Sequence, residues 1–310
     1  MPAIAIAGLL LLTGCAGGDP PTPSSADSTA PGTASAADPA AVPGADATEA
    51  QHLAPTASGW LAGNEVTLTS AEYDPDAGRI VVTADVKNTS EVESFTGEYL
   101  SWVFLDVGAG APATALQFSS TAVAQATTEV EMSFFAPDDG LVLADAVLQL
   151  GASGQRQWLL PLDPDAEATG SEPKTAALSG TIDASGMTLT LASVSVVPWT
   201  CSDSDDYGTG GTGRVTYEPV ADDKLGVVVR GDFAESVAYT GGNAVSTMTL
   251  EQPDGISVNA IGAVWHVFAA GDRAEDYALC FTVDAPATGT YTLGFTTYRG
   301  ASASGPITLP

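Results

Sequence analysis

The chain is short of positive charge: nine Lys plus Arg stand against 38 Asp plus Glu in 310 residues, a formal net charge of −29. Binding to nucleic acid starts from cationic side chains that replace counterions on phosphate, so nucleic acid is excluded as a partner, and an acidic surface repels anionic lipid as well. Histidine is scarcer still. His52 and His266 are the only two, and no histidine-based zinc motif can be built from them. A membrane-spanning helix needs about 20 consecutive apolar residues, and no run reaches that length. Long segments with apolar residues at a 3.6-residue period are missing, so helices are not expected. No Gly-x-Ser-x-Gly or similar nucleophile signature occurs. Ser171-Glu172-Pro173-Lys174 has the form Ser-x-x-Lys, but it sits in a Pro-containing linker without companion motifs and reads as coincidence.

What is present begins with an apolar stretch of about ten residues that closes on Leu12-Thr13-Gly14-Cys15 and gives way at once to a Pro/Ala/Ser/Thr tract. An apolar segment too short to span, followed by small residues at a cleavage point, reads as a secretory signal. Leu12 to Cys15 resembles the lipobox of bacterial lipoproteins. The resemblance implies that residues 1–15 are signal peptide and lipobox, with Cys15 diacylglycerylated and first in the mature chain. Two acyl chains, at about 0.8 kcal/mol per buried methylene, make such anchoring stable. The membrane is then a partner through the lipid anchor, and the protein sits on the extracytoplasmic face. Richness in Ala, Gly, Asp and Thr with little Lys suggests a high-GC bacterium, in keeping with that address.

Residues 16–58 are almost entirely Ala, Pro, Ser, Thr, Gly and Asp and cannot bury enough apolar area to offset ordering entropy, so they are expected to form a disordered tether. As a flexible coil it would hold the next segment about 35 to 40 Å from the anchor. Beyond it the pattern turns to strands. Val66-Thr67-Leu68-Thr69-Ser70-Ala71 and Arg79-Ile80-Val81-Val82-Thr83-Ala84-Asp85-Val86 alternate β-branched residues across the turn Asp74-Pro75-Asp76-Ala77-Gly78, which predicts an antiparallel β-sandwich.

The pattern then returns. Glu129 to Pro137 aligns without a gap to Ala278 to Pro286 at an offset of 149, and Gly151-Ala152-Ser153 to Gly300-Ala301-Ser302 and Leu160-Pro161 to Leu309-Pro310 keep that offset. Val66-Thr67-Leu68-Thr69 matches Met187-Thr188-Leu189-Thr190 at an offset of 121, and Val81-Val82 matches Gly226-Val227 at 145. Two tandem sandwich domains are expected, 59–165 and 175–310, joined by a linker at 166–174. The rise in offset places an insertion between the first two strands of the second copy. That insertion contains Cys201-Ser202-Asp203-Ser204-Asp205-Asp206-Tyr207-Gly208.

Strand alternation puts Tyr277, Leu279, Phe281 and Val283 on one face and Cys280 on the other. A Cys201–Cys280 disulfide, in an oxidising compartment, would therefore staple the insertion to the outer face of the sheet. Asp203, Asp205 and Asp206 are hard oxygen donors suited to calcium. Tyr207 occupies a ligand position, however, and Arg214 stands where an EF-hand needs a bidentate Glu, so an EF-hand is excluded and a solvated acidic loop is the alternative. Trp199, beside Pro198, offers a stacking surface for a sugar or else packs under the insertion. Partner specificity is expected on residues 199–213, with Trp199, Asp203, Asp205, Asp206 and Tyr207 as candidate ligand-binding residues. His266, between Trp265 and Val267, reads as a strand histidine rather than a catalytic one.

Val82-Thr83-Ala84-Asp85-Val86-Lys87-Asn88-Thr89-Ser90 resembles the Val-x-Val-x-x-Asn-Thr-Ser strand end of the immunoglobulin-like, telokin-like domains of secreted bacterial lipoproteins. The second copy departs from it with Val229 to Glu235. The resemblance implies a sandwich used for binding or presentation at the cell surface, with no catalytic residues to carry over. The expected function is a non-catalytic lipoprotein that binds a protein or cell-wall component and needs no cofactor. A secreted hydrolase or carbohydrate-binding lipoprotein is the competing reading.

Overall fold

The computed structural model describes residues 49–90, 93–108, 110–136, 141–202, 216–261 and 267–310, all within one compact unit, Ala45–Pro310. Its first half runs through β1 (Gln51–Leu53), β2 (Ser58–Leu61), β3 (Asn64–Asp74), β4 (Arg79–Asn88), β5 (Val103–Asp106), β6 (Ala113–Thr114), β7 (Gln117–Phe118), β8 (Thr127–Phe135), β9 (Val147–Leu150) and β10 (Trp158–Pro161). The second half continues with β11 (Lys174–Ala177), β12 (Thr181–Ala184), β13 (Met187–Val197), β14 (Trp199–Ser202), β15 (Thr216–Pro219), β16 (Lys224–Glu235), β17 (Asn243–Glu251), β18 (Ser257–Asn259), β19 (Val267–Phe268), β20 (Arg273–Asp284), β21 (Gly289–Thr297) and β22 (Ser302–Leu309). Two short 3₁₀ turns, Gly97–Trp102 and Leu143–Asp145, are the helical elements among the described residues. The all-β, antiparallel sandwich architecture expected from the alternating pattern is what the chain forms.

Each half has two sheets enclosing a core of its own. In the first, β1-β3-β4-β8-β7 packs on β10-β9-β5-β6; in the second, β11-β13-β16-β20 packs on β18-β17-β21-β22. β2 and β12 pair on β3 and β13 at equivalent places. Alternation explains the assignment. On β4, Ile80, Val82, Ala84 and Val86 are fully buried between exposed or half-buried neighbours, and each such Val or Ile contributes about 1.5 to 3 kcal/mol. On β3 the inward set changes parity from Val66 and Leu68 to Ala71 and Tyr73. A bulge between Leu68 and Ser70 accomplishes this, and β13 carries its counterpart between Leu191 and Ser193.

Strand pairing supports the internal repeat and corrects its register. Val82 pairs with Ala71 and Met132, while Val227 pairs with Val196 and Phe281. At the chain end the offset of 149 fails, because Leu160 lies opposite Leu148 whereas Leu309 lies opposite Gly289, eight residues from the Thr297 that this offset requires. The matches at 145 and, on β8 and β20, at 149 agree with the ladder. The match of Val66 to Met187 does not: Val66 lies opposite Val86, whereas Met187 lies opposite Glu235, four residues further along β16 than the repeat requires. An alternating strand resembles itself at any even shift, and the sequence alone does not choose among those shifts.

Two boundaries also move. Residues 51–53, expected in the tether, form β1 against Ala71 to Tyr73, and Ser58, at the tether's end, already belongs to β2. Gln51 is the reason. Its amide donates to the carbonyl of Leu141, and its Oε1 accepts from the N–H of Leu143, both at 2.7 Å. The expected linker at 166–174 is likewise held: Thr169 exchanges two backbone hydrogen bonds with Leu159, and the Trp158 indole N–H donates to the carbonyl of Ser171. Gly170 makes this approach possible, because a Cβ there would overlap the indole of Trp158.

Buried polar side chains close the ends of β3 and β4. Asn88, 1% exposed, accepts at Oδ1 from the N–H and hydroxyl of Ser90 and donates to the carbonyl of Ala122. It is a turn former, as its place in the Asn-Thr-Ser motif suggests. Asn64 donates to the carbonyls of Leu61 and Ala62 and to the Tyr99 hydroxyl, and accepts from Ser94. Burial pushes the Tyr99 phenol up to about 12.

Candidate functional site

The Cys201–Cys280 bridge is present, with Cα atoms 5.9 Å apart. Leu279, Phe281 and Val283 face the core while Cys280 lies on the outer face with Val228, Val197 and Trp199, as alternation along β20 requires. The inserted segment is a hairpin, β14 against β15, laid across the outside of β16 and β20. Gly226 permits it: a Cβ there would overlap the Trp199 carbonyl. The Thr200 and Thr282 hydroxyls hydrogen-bond at 2.7 Å beside the disulfide.

This hairpin is a brace between the halves, which corrects the expectation that Trp199 is a ligand platform. Trp199 is 5% exposed. Its ring stacks on Trp60 of the first half, centroids 5.5 Å apart and planes 25° apart, and meets the edge of Tyr217. Tyr217 covers Gly63, where a side chain would collide with it. Just beyond β15, the Arg156 N–H donates to the carbonyl of Val220 at 2.8 Å, the Arg156 guanidinium to the carbonyl of Lys224, and the Asp222 N–H to the carbonyl of Gly154. An indole enclosed on this scale has no face left for a sugar. The tip of the hairpin, with Asp203, Asp205, Asp206 and Tyr207, lies outside the described residues, as do Cys15 and His266. No group of three or more metal-ligating side chains occurs among the described residues. His52 is exposed on β1 beside Glu72, at 3.3 Å.

The structure instead assembles a surface that the sequence reading did not single out. The outer face of β18-β17-β21-β22 is built in rows by the ladder: Thr247, Thr296 and Ser302; then Asn259, Thr249, Gly294 and Ser304; then Ser257, Glu251, Thr292 and Pro306; then Thr290 and Thr308. Their inward neighbours Leu250, Leu293, Phe295, Ile307 and Leu309 are buried in the core. Glu251 is the one charged residue in these four strands, in a chain where Asp and Glu number 38. Rows repeat about every 4.8 Å across the sheet and about 6.8 Å along each strand.

Continuing the alternation past Thr296, Tyr298 emerges on the same face with its N–H bonded to the carbonyl of Ala244, and Ala244 pairs with Val267. Tyr298 and Val267 are 65% and 59% exposed. They line a groove of about 340 Å³ with Gly241, Gly242, Asn243 and Arg299, within the size range of small-ligand sites. Arg299 shapes its rim: the guanidinium donates to the carbonyls of Thr240 and Gly242 and lies over the Tyr239 ring. Underneath, buried Asn243 donates to the Glu235 carboxylate at 2.8 Å, whose other oxygen accepts from the N–H of Val237. A signal was available in the sequence, since Thr290, Thr292, Gly294, Thr296 and Tyr298 recur at every second position, as do Ser302, Ser304, Pro306 and Thr308.

No protein-family model matches the chain, and no curated protein does. Among solved structures it is similar to a conserved domain protein from Bacillus anthracis, at 9% identity over 83% of this chain and 90% of that one, with a TM-score of 0.25. No helix among the described residues is long and apolar enough to cross a membrane.

Proposed function

We propose that this protein is a non-catalytic binding lipoprotein of the extracytoplasmic membrane face, held by acylated Cys15 and presenting two immunoglobulin-like sandwich modules to a cell-envelope component. The single observation that carries the binding role is the outer face of β17, β18, β21 and β22, whose one charge is Glu251, with the Tyr298 groove at its end. The chain as a whole is acidic, and its net charge of −29 repels acidic neighbours. This face offers a broad contact with a single carboxylate, on a rigid sheet rather than on a loop. The brace supports the same reading, because it ties the two modules into one body.

Two measurements test the proposal. Intact mass of the protein from the membrane fraction should show residues 1–14 removed and a diacylglyceryl group on Cys15, and Cys15→Ala should leave the membrane fraction. The mature chain should also co-sediment with purified cell envelope. A Cys15→Ala chain that stays membrane-bound to the same extent overturns the anchor, and a mature chain that remains in the supernatant overturns the binding role.

A further inference from the structure

We infer that the outer face of β17, β18, β21 and β22 binds an uncharged polysaccharide, with one sugar ring seated on Tyr298. The inference rests on the binding role proposed above and names the ligand class for that surface. Thr and Ser hydroxyls each donate one hydrogen bond and accept two, the same capacity as sugar hydroxyls. A face made of them complements a polyhydroxyl chain without asking for a charge. Glu251 is the lone charge, and no Lys or Arg lies on these strands. An acidic polysaccharide would find one cation, Arg299 at the groove rim, whose guanidinium already donates to the carbonyls of Thr240 and Gly242, and would be repelled by a body of net charge −29.

The apolar end supplies what hydroxyls do not. Sugar rings present C–H faces that settle on aromatic rings, and Tyr298 is both on this face and widely exposed, with Val267 beside it in the groove. From there Thr296 and Ser302, whose hydroxyls lie 2.8 Å apart, begin the first polar row. In the next row the side chains of Thr249 and Ser304 close over Gly294, where a Cβ would sit 3.2 Å from the Thr249 hydroxyl. Regular rows suit a repeating ligand, since each added sugar meets the same spacing again. A chain lying along β21 would cross several rows, and the many weak contacts add.

The test is affinity electrophoresis of the mature full chain in gels containing dextran, mannan or galactan, with polygalacturonate as the anionic counterpart. At least one neutral polymer should retard the chain, and polygalacturonate should not. Tyr298→Ala should weaken that binding at least tenfold. Thr247→Glu with Ser304→Glu, both at exposed positions, should abolish it, whereas Thr190→Glu on the opposite sheet should leave it unchanged. Thermal midpoints of all variants confirm folding. Retardation by polygalacturonate alone, or by a neutral polymer without loss in the Tyr298 and Thr247/Ser304 variants, overturns the inference. If no neutral polymer retards the chain while purified envelope still captures it and the Thr247/Ser304 variant is not captured, the ligand class is wrong and the binding role stands. If envelope captures neither, the binding role falls with it.

Discussion

Removing the stacked indoles of the brace should cost more than either ring's own burial explains. Trp199 is almost fully enclosed, so Trp199→Ala creates a cavity and should lose about 3 to 5 kcal/mol. Trp60 is half-buried, and Trp60→Ala should lose about half as much. Since the rings lie 5.5 Å apart at 25°, each single variant already forfeits their mutual contact. The double variant should therefore be about 0.5 to 1.5 kcal/mol less destabilised than the sum of the singles. For a body of this size each kcal/mol moves the thermal midpoint by about 2 to 4 °C. Guanidinium unfolding followed by far-ultraviolet circular dichroism measures all four proteins without depending on the altered fluorophores. Additivity within about 0.3 kcal/mol would refute a contact between the halves through these rings.

Three further perturbations follow from the same geometry. Gly226→Ala places a Cβ against the Trp199 carbonyl and within 2.9 Å of Val197, so its unfolding midpoint should fall by the equivalent of about 1 to 3 kcal/mol. Cys201→Ser with Cys280→Ser opens a loop closed over a sequence separation of 79 and should cost about 4 to 5 kcal/mol in the chain-entropy description, read from equilibrium unfolding. Tyr99 ionises only at about 12 when folded, against 10.0 when free. Its contribution is intact below pH 10 and lost as pH rises to 12, a fall of about 2 to 3 kcal/mol that Tyr99→Phe should remove from the stability-against-pH curve.

Much of this arrangement is visible in the residues. Alternation on Ile80 to Val86 and on Tyr277 to Val283 names the inward face of β4 and β20, and the latter alone places Cys280 outside. The disulfide follows from that and from the position of Cys201 in the inserted segment. What alternation cannot supply is register, because within a stretch of unbroken alternation an even shift leaves the same side chains inward, and only the pairing fixes which shift is used. Nor can it say what a Trp on the outer face meets. Trp199 is enclosed by Trp60, 139 positions away, and only the fold of both halves brings them together. The start of β1 was hidden for a related reason: Gln51 is ordered by backbone groups at Leu141 and Leu143, and composition carries no trace of them. The hydroxyl face escaped notice because its residues are individually bland. Its character lies in rows across four strands, which the ladder creates.

Hydrogen exchange of the mature chain with and without saturating purified envelope tests the central claim most directly. Binding on this face should slow exchange in β18, in β22 and in the turn after β21 at residues 298–301, while β3, β4 and β8 stay unchanged. Slowing confined to the first half, or to residues 203–215 between β14 and β15, would contradict the account and move the binding surface there.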